Sequence, residues 1–433
     1  MRVARWCLVP VLSVILLCGS FVGGARYGAA AFDWLGLSWI APAPVVTSST
    51  EPADVEPTFQ LFWQAWNVVT HNYVDKGSLD VKALTYGAIR GMVSALGDTG
   101  HSRFLPPQDY RQEESSLRGA FTGIGAEVGL RAGQPIIVQP LDGSPAQNAG
   151  LRAGDAIVRI NGEDVSHATL QELTTKLRGD AGTTLVMTVQ HQDADTPVDV
   201  TITRGRIAVQ PVSSYVLPDS NVADVRLSDF SGSAATDLQS VLKSLGSQHV
   251  AGIVLDLRDN PGGILDQAVQ VTSQFMDSGT VAVVKDAGGK ESKLDAKPGG
   301  EALNVPLTVL VNSGTASAAE IVAGALQENH RATLIGQPTF GTSTVLSTFR
   351  LKDGSAILLG TSEWLTPNGE ALKGKGIQPN VPVRLTAQSQ VLTPAREKSL
   401  TADQIASSGD AQLLAAVQYL SQHPEVRTGP PPA

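Results

Sequence analysis

Two short strings in the last half of the chain combine side chains and backbone in ways that could do chemistry: RDNPGG at 258–263 and NSGTASAAE at 312–320. The apolar run 305–312 ends at Asn312, and a helical pattern starts near Ser317. The Ser317 hydroxyl then sits at a helix N-terminus, where unpaired amides such as that of Ala318, and the helix dipole, favour a developing oxyanion. Gly262 and Gly263 let a second backbone segment approach the same place and add an amide donor. The same Ser317, with Glu320 three residues on, also fits a capping box, which needs no chemistry. No HExxH or clustered carboxylates stand among the 7 histidines, and no phosphate or dinucleotide fingerprint follows a strand. The chemistry is therefore expected to need no metal and no cofactor.

These strings need a scaffold. The chain has 433 residues with 42% hydrophobic content, enough for about three structural units. Its 43 glycines and 25 prolines imply many turns between short elements. With 32 basic against 41 acidic residues the net charge is −9, which argues against a nucleic-acid partner. Beyond residue 205 strand and helix patterns alternate: strands at 222–227, 252–257, 305–312, 331–336, 344–351 and 355–362, with helices near 234–245, 265–276 and 316–328. Apolar runs bounded by helices predict a mixed α/β core over 206–390, compatible with a crotonase-like spiral, followed by a tail over 391–433 that is helical at 402–422. Upstream, Leu61, Phe62, Ala65, Trp66 and Val69, and then Leu84, Ala88, Met92 and Leu96, are spaced for helices, so 58–118 reads as a small helical domain. It ends in the loop LGDTGHSRFLPP at 96–107.

Arg2 and Arg5 precede an apolar run from Trp6 to Val22, with Gly23, Gly24 and Ala25 after it. Residues 1–25 read as an export signal or membrane anchor, so the rest is expected outside the cytoplasm, anchored or secreted. A linker rich in Ala, Pro, Ser and Thr covers 26–57. Both cysteines, Cys7 and Cys18, lie in the apolar run, which leaves the remainder no disulfide, thiolate metal site or cysteine nucleophile.

The block 119–205 opens with FTGIGAEV and contains GSPAQNAGLRAGDAIVRINGEDV, and it resembles a PDZ domain over nearly its whole length. Gly123 and Gly125 would free the backbone around Ile124 to meet a peptide's terminal carboxylate, unless they serve only a tight turn. RDNPGG and NSGTASAAEIVAGALQENHRATLIGQPTFG, in that order after a PDZ block, resemble the carboxyl-terminal processing peptidases. The resemblance spans about 58–385. It implies that Ser317 is the nucleophile and that Gly262, Gly263 and Ala318 surround its oxyanion.

One departure matters. The family's general-base lysine and the glutamine after it fall on Thr342 and Leu346 in FGTSTVL. A threonine hydroxyl is no base near neutral pH, and Lys352, Lys373 and Lys375 lie in turn and loop sequence. Histidine, with an ordinary pKa near 6.5, suits the task. The arrangement is similar to tricorn-type relatives, in which a histidine from the preceding helical part replaces the lysine, held by a downstream glutamate through a neighbouring serine. That similarity points to His101, with Ser102 and Glu363 as counterparts. Read bottom-up, His101 caps a turn equally well, and Glu363 in TSEWLTPNG suits an exposed strand position. The expected function is an exported serine endopeptidase whose PDZ block captures C-terminal ends of polypeptide substrates. The alternative is a peptide-binding protein that kept the fold and lost catalysis with the lysine.

Overall fold

The computed structural model describes residues 56–425, apart from 99–100, 132, 142, 192–193, 195, 209, 386–388 and 390. The expected export segment and nearly all of the linker lie outside the described residues. Among the described residues no helix is long and apolar enough to cross a membrane.

The strings 258–263 and 312–320 follow strands of a six-stranded sheet. Its strands run in the order Val212–Val216, Val222–Leu227, Gly252–Asp256, Leu307–Val311, Thr333–Gly336, Val381–Pro382. The first pair is antiparallel and the rest are parallel. Every residue of Gly252–Asp256 and Leu307–Val311 is buried, as expected of strands covered on both faces. Alternate side chains divide between two cores. Val225, Leu255 and Val309 face helices Ala234–Ser247, Leu265–Thr272 and Ala318–Glu328. Val254, Leu310 and Ile335 pack with Leu392, Ile405, Leu413 and Leu420. The segment expected as a tail beyond 390 is thus the second cover of this sheet, and a boundary there cuts through one core. Buried Arg258 ties the two together: it pairs with Asp256 of the central strand and, at 2.9 Å, with Asp410 before the last helix.

A second sheet brings the N-terminal part to the core. Strand Ala356–Leu365 pairs with Thr344–Arg350 and, in different stretches, with Arg103–Leu105 and Thr280–Asp286. Residues 58–118 are therefore not purely helical. Arg103–Leu105, expected as loop, is a strand whose Phe104 is buried and whose partner lies far along the chain at 356–358. Helix Val81–Ser94, capped by Asp80, braces it by packing Tyr86 on Phe104 with ring centroids 5.0 Å apart. Tyr86 Oη also donates to Asp353 Oδ2 at 2.6 Å, fixing the helix to the turn after Arg350.

Strands between Ala126 and Thr203, with helices Pro145–Asn148 and Leu170–Leu177, enclose a separate apolar core that includes Ile137, Ile157, Leu173 and Met187. The antiparallel pair Ala120–Gly123 and Gly205–Ala208 forms the neck joining this unit to the rest.

Candidate active site

Ser317 has the backbone angles φ 54° and ψ −119° at the junction between the strand Leu307–Val311 and the helix Ala318–Glu328. Positive φ is strained for a serine and persists only where the surroundings enforce it. The enforcement is visible. Glu320, fully buried, reaches back so that its Oε2 accepts from the Ser317 amide at 3.0 Å, the Thr342 amide at 2.9 Å and Thr342 Oγ1 at 3.1 Å. Its Oε1 accepts from Thr339 Oγ1 at 2.5 Å and the Gly341 amide at 2.8 Å. Ser317 and Glu320 occupy the expected capping-box positions, with the Ser317 hydroxyl near the Glu320 amide but outside hydrogen-bond geometry. The Glu320 amide donates to the Ser317 carbonyl oxygen at 2.8 Å, and among the described residues the Ser317 hydroxyl makes no hydrogen bond. The hydroxyl therefore stands at the cap position without being held by a hydrogen bond there.

Thr342 is buried, and its hydroxyl accepts from the Ser317 amide at 3.0 Å while donating to Glu320. It holds the backbone of the turn, and a neutral hydroxyl is no base near neutral pH. Leu346, two residues into the next strand, lines the cavity with an apolar side chain.

RDNPGG builds the other wall. Asn260 is buried, donating from Nδ2 to the Leu227 carbonyl at 2.7 Å, while its own carbonyl accepts from the Ala316 amide at 2.9 Å. Its Oδ1 accepts the Gly262 amide at 2.9 Å. The expectation of Gly262 as an oxyanion donor is corrected by that bond, since its N–H is already engaged. Glycine is needed there for another reason. At φ 96°, a Cβ would stand 2.7 Å from both the Ala316 carbonyl oxygen and Ser317 Cβ. Gly263 carries its peptide past Phe230, and among the described residues neither the Gly263 amide nor the Ala318 amide makes a hydrogen bond.

Ser317, Gly262, Gly263, Ala318, Thr342 and His101 line one cavity of about 1160 Å³. His101 reaches it because the strand Arg103–Leu105 is sewn to the core sheet two residues later. The imidazole is half-buried, with Nδ1 3.3 Å from Asp98 Oδ1. Ser102 donates to Asp98 Oδ2 from its hydroxyl at 2.7 Å and its amide at 3.1 Å, and Ser102 Oγ accepts the Gly360 amide at 2.9 Å. The Ser102 hydroxyl bond lowers the Asp98 carboxyl's pKa below its ordinary value, with burial opposing and the Ser102 amide, His101 and Lys373 adding to it.

Glu363 is a correction. It is exposed and lines a neighbouring cleft of about 550 Å³ with Ser102, Lys285 and Lys373, whereas the next residue, Trp364, is buried and lines the Ser317 cavity. Successive strand residues point to opposite faces, so these two cannot share one. The serine expected to bridge His101 to Glu363 turns to Asp98 instead. Asp98 was missed by sequence reasoning, although a carboxylate three residues before a histidine and four before a serine in a glycine-containing turn is a usable signal.

In the unit between 120 and 208, Gly125 has φ 73°, and a Cβ there would lie 2.5 Å from Ser144 Cβ. Gly123 ends its strand without positive φ, and a Cβ there would make only ordinary contacts, 3.7 Å from the Leu177 carbonyl oxygen and the Phe121 ring, so it is not required by conformation. Ile124 is buried, its carbonyl accepting from Ala146 at 2.8 Å, while the amides of Ile124 and Gly125 make no hydrogen bond among the described residues.

Residues 221–383 match the model of peptidase family S41 and residues 136–191 that of the PDZ domain. The chain is 38% identical over 311 residues to a carboxy-terminal-processing protease of Bartonella bacilliformis, covering 70% of each chain. It is 32% identical over 395 residues to a carboxyl-terminal-processing protease of Synechocystis, covering 86% of this chain and 91% of the relative. Among solved structures, a photosystem II D1 C-terminal processing protease aligns over 75% of this chain and 92% of its own, at 30% identity and a TM-score of 0.46. On these sequence relatives the chain belongs to the carboxy-terminal processing proteases of peptidase family S41, serine proteases that carry a PDZ domain.

Proposed function

We propose that this chain is an exported endopeptidase in which Ser317 and His101 form the nucleophile and base unit. The supporting observation is the freedom of the Ser317 hydroxyl, held by no hydrogen bond among the described residues and facing a cavity that also holds an imidazole, while the hydroxyl at position 342 is engaged in the backbone of the turn. With Nδ1 turned to Asp98, Nε2 is the nitrogen left for the serine. Ser317 Oγ attacks the scissile carbonyl carbon as His101 Nε2 takes its proton. The negative charge passes to the carbonyl oxygen, held by the amides of Gly263 and Ala318. The C–N bond then breaks, the leaving amine receives the proton from His101, and water repeats the sequence on the acyl-enzyme.

Phe230, Leu265, Ile321, Leu346, Leu358 and Trp364 in the cavity wall suit apolar side chains beside the scissile bond. The neck residues Gly119, Ala120 and Phe121 line the same cavity, so a polypeptide whose C-terminal carboxylate is held at Ile124 and Gly125 has a short route to Ser317. No cofactor enters this scheme. The apolar segment 6–22 directs export and leaves the protease outside the cytoplasm, anchored or released.

A fluorophosphonate probe tests the reading. Wild type should label at one serine, Ser317→Ala should not label, and His101→Ala should label far more slowly. A wild type that neither labels nor cleaves β-casein would instead be a peptide-binding protein without catalysis. Protease accessibility in intact spheroplasts tests the location: digestion of the folded part supports export, and full protection contradicts it.

A further inference from the structure

Asp98 lines the smaller cleft and stands behind His101, which lines the Ser317 cavity. One carboxylate oxygen stands 3.3 Å from His101 Nδ1 and the other accepts both hydrogen bonds from Ser102. Ser102 is itself anchored, because its hydroxyl accepts the Gly360 amide of strand Ala356–Leu365. The carboxylate is thereby fixed to the core sheet, while the His101 amide closes the turn onto the Asp98 carbonyl at 3.3 Å. An anion held in this way does two things for an imidazole. Its negative charge favours the tautomer with the proton on Nδ1, leaving Nε2 to accept, and favours the imidazolium formed when the serine gives up its proton. The 3.3 Å contact is an ion-pair distance that closes to a hydrogen bond when the ring is charged.

We propose that Asp98 is the positioning residue that orients and charges His101, taking the part that family resemblance gives to Glu363. This rests on the reading of His101 as the base. The other charged groups nearby are differently engaged. Arg103 and Glu113 pair with each other at 2.7 Å in the cavity wall. Lys285, Asp286, Glu363 and Lys373 line the neighbouring cleft, where Lys373 lies near enough to act on the Asp98 charge. Asp98 is thus the carboxylate in contact with the imidazole, and Ser102 determines how rigidly it is held.

The experiment compares full-length wild type with Asp98→Asn, Asp98→Glu, His101→Ala and Ser317→Ala. It follows fluorophosphonate labelling, β-casein cleavage and thermal midpoint across pH. Asp98→Asn should keep the probe's binding constant and the thermal midpoint and slow the chemical step about 100-fold or more. Asp98→Glu should recover part of the rate. The proposal is overturned if Asp98→Asn stays within about threefold of wild type while His101→Ala is inactive. It is equally overturned if Asp98→Asn lowers the thermal midpoint and weakens binding and chemistry alike, the mark of a structural role. If His101→Ala itself remains active, the assignment of the base fails first and that of Asp98 falls with it.

Discussion

The amide of Ser317 donates to Thr342 Oγ1 at 3.0 Å, so the residue standing where family resemblance expects a general base instead holds the nucleophile's own backbone. The bond is shared, because the same amide also reaches Glu320 Oε2 at 3.0 Å. Removing the threonine hydroxyl therefore leaves the turn with one of its two restraints.

Thr342→Ala should lower kcat by no more than about tenfold, since one shared neutral hydrogen bond contributes about 1 kcal/mol. Thr342→Ser should restore it. Steady-state cleavage of β-casein by the three proteins checks this, and loss of all turnover in the alanine variant would mean that position 342 takes part in proton transfer.

Glu320 has a larger role. Five donors from four residues converge on its two oxygens in a fully buried place. Glu320→Gln turns an amide nitrogen toward some of them and should destabilise the protein by about 2–3 kcal/mol, while slowing fluorophosphonate labelling as the Ser317 turn relaxes. Denaturant unfolding and labelling rates measured on one preparation test both effects.

A second buried acidic group predicts how stability depends on pH. Asp224 and Glu397 are each fully buried and stand against one another, and among the described residues no other donor reaches their carboxylate oxygens. Burial, with Asp256 and Asp410 adding, pushes Glu397 up to about 7, and burial, with Asp256 and Glu397 adding, pushes Asp224 well above its ordinary value. Both folded-state values are raised, so the folded protein holds these protons more tightly than the unfolded chain does. The Glu397 contribution is fully present below the ordinary carboxylate range and is lost as pH rises through about 7. Thermal midpoints should therefore fall across that window in wild type and fall less in Glu397→Gln. An unchanged slope in the variant would remove Glu397 as the cause.

The groove at Ile124 and Gly125 gives a binding prediction. In the full-length Ser317→Ala protein, a peptide with a free C-terminus should bind more tightly than its amidated counterpart by calorimetry. Gly125→Val, which would collide with Ser144 and Ile207, should abolish the difference. Equal affinities for the two peptides would contradict carboxylate capture.

The elements that position Ser317 were legible in sequence because they announce themselves locally: an apolar strand ending at Asn312, a helical pattern beginning at once, and glycines clustered in RDNPGG. What escaped depends on partners distant in the chain. Strand Arg103–Leu105 has three residues and exists because 356–358 pairs with it. The segment after 390 reads as a tail until Leu413 and Leu420 are seen against Val254 and Leu310. Glu363 does share a cleft with Ser102, but the Ser102 hydroxyl gives its hydrogen to Asp98, a pairing that depends on how the 96–107 loop folds against strand Ala356–Leu365. Gly262 was assigned a free amide because Asn260, two residues away, gives no sign in sequence that its side chain folds back.

Glu363→Gln follows from that correction. Exposed and in the neighbouring cleft, it should leave fluorophosphonate labelling within about twofold of wild type, as surface substitutions away from a site do. A loss comparable to that of Ser317→Ala would return Glu363 to the site.

The pairing of Ser317 with His101 is tested most directly by kcat/KM for wild type, Ser317→Ala, His101→Ala and the double variant, measured against pH on one peptide cut from β-casein. Members of one nucleophile-base unit fall together, so the three variants should share a floor about 10³-fold or more below wild type. Wild-type activity should decline as acid protonates the imidazole. A His101→Ala protein that keeps near wild-type kcat/KM while Ser317→Ala is inactive would contradict the account and require a different base.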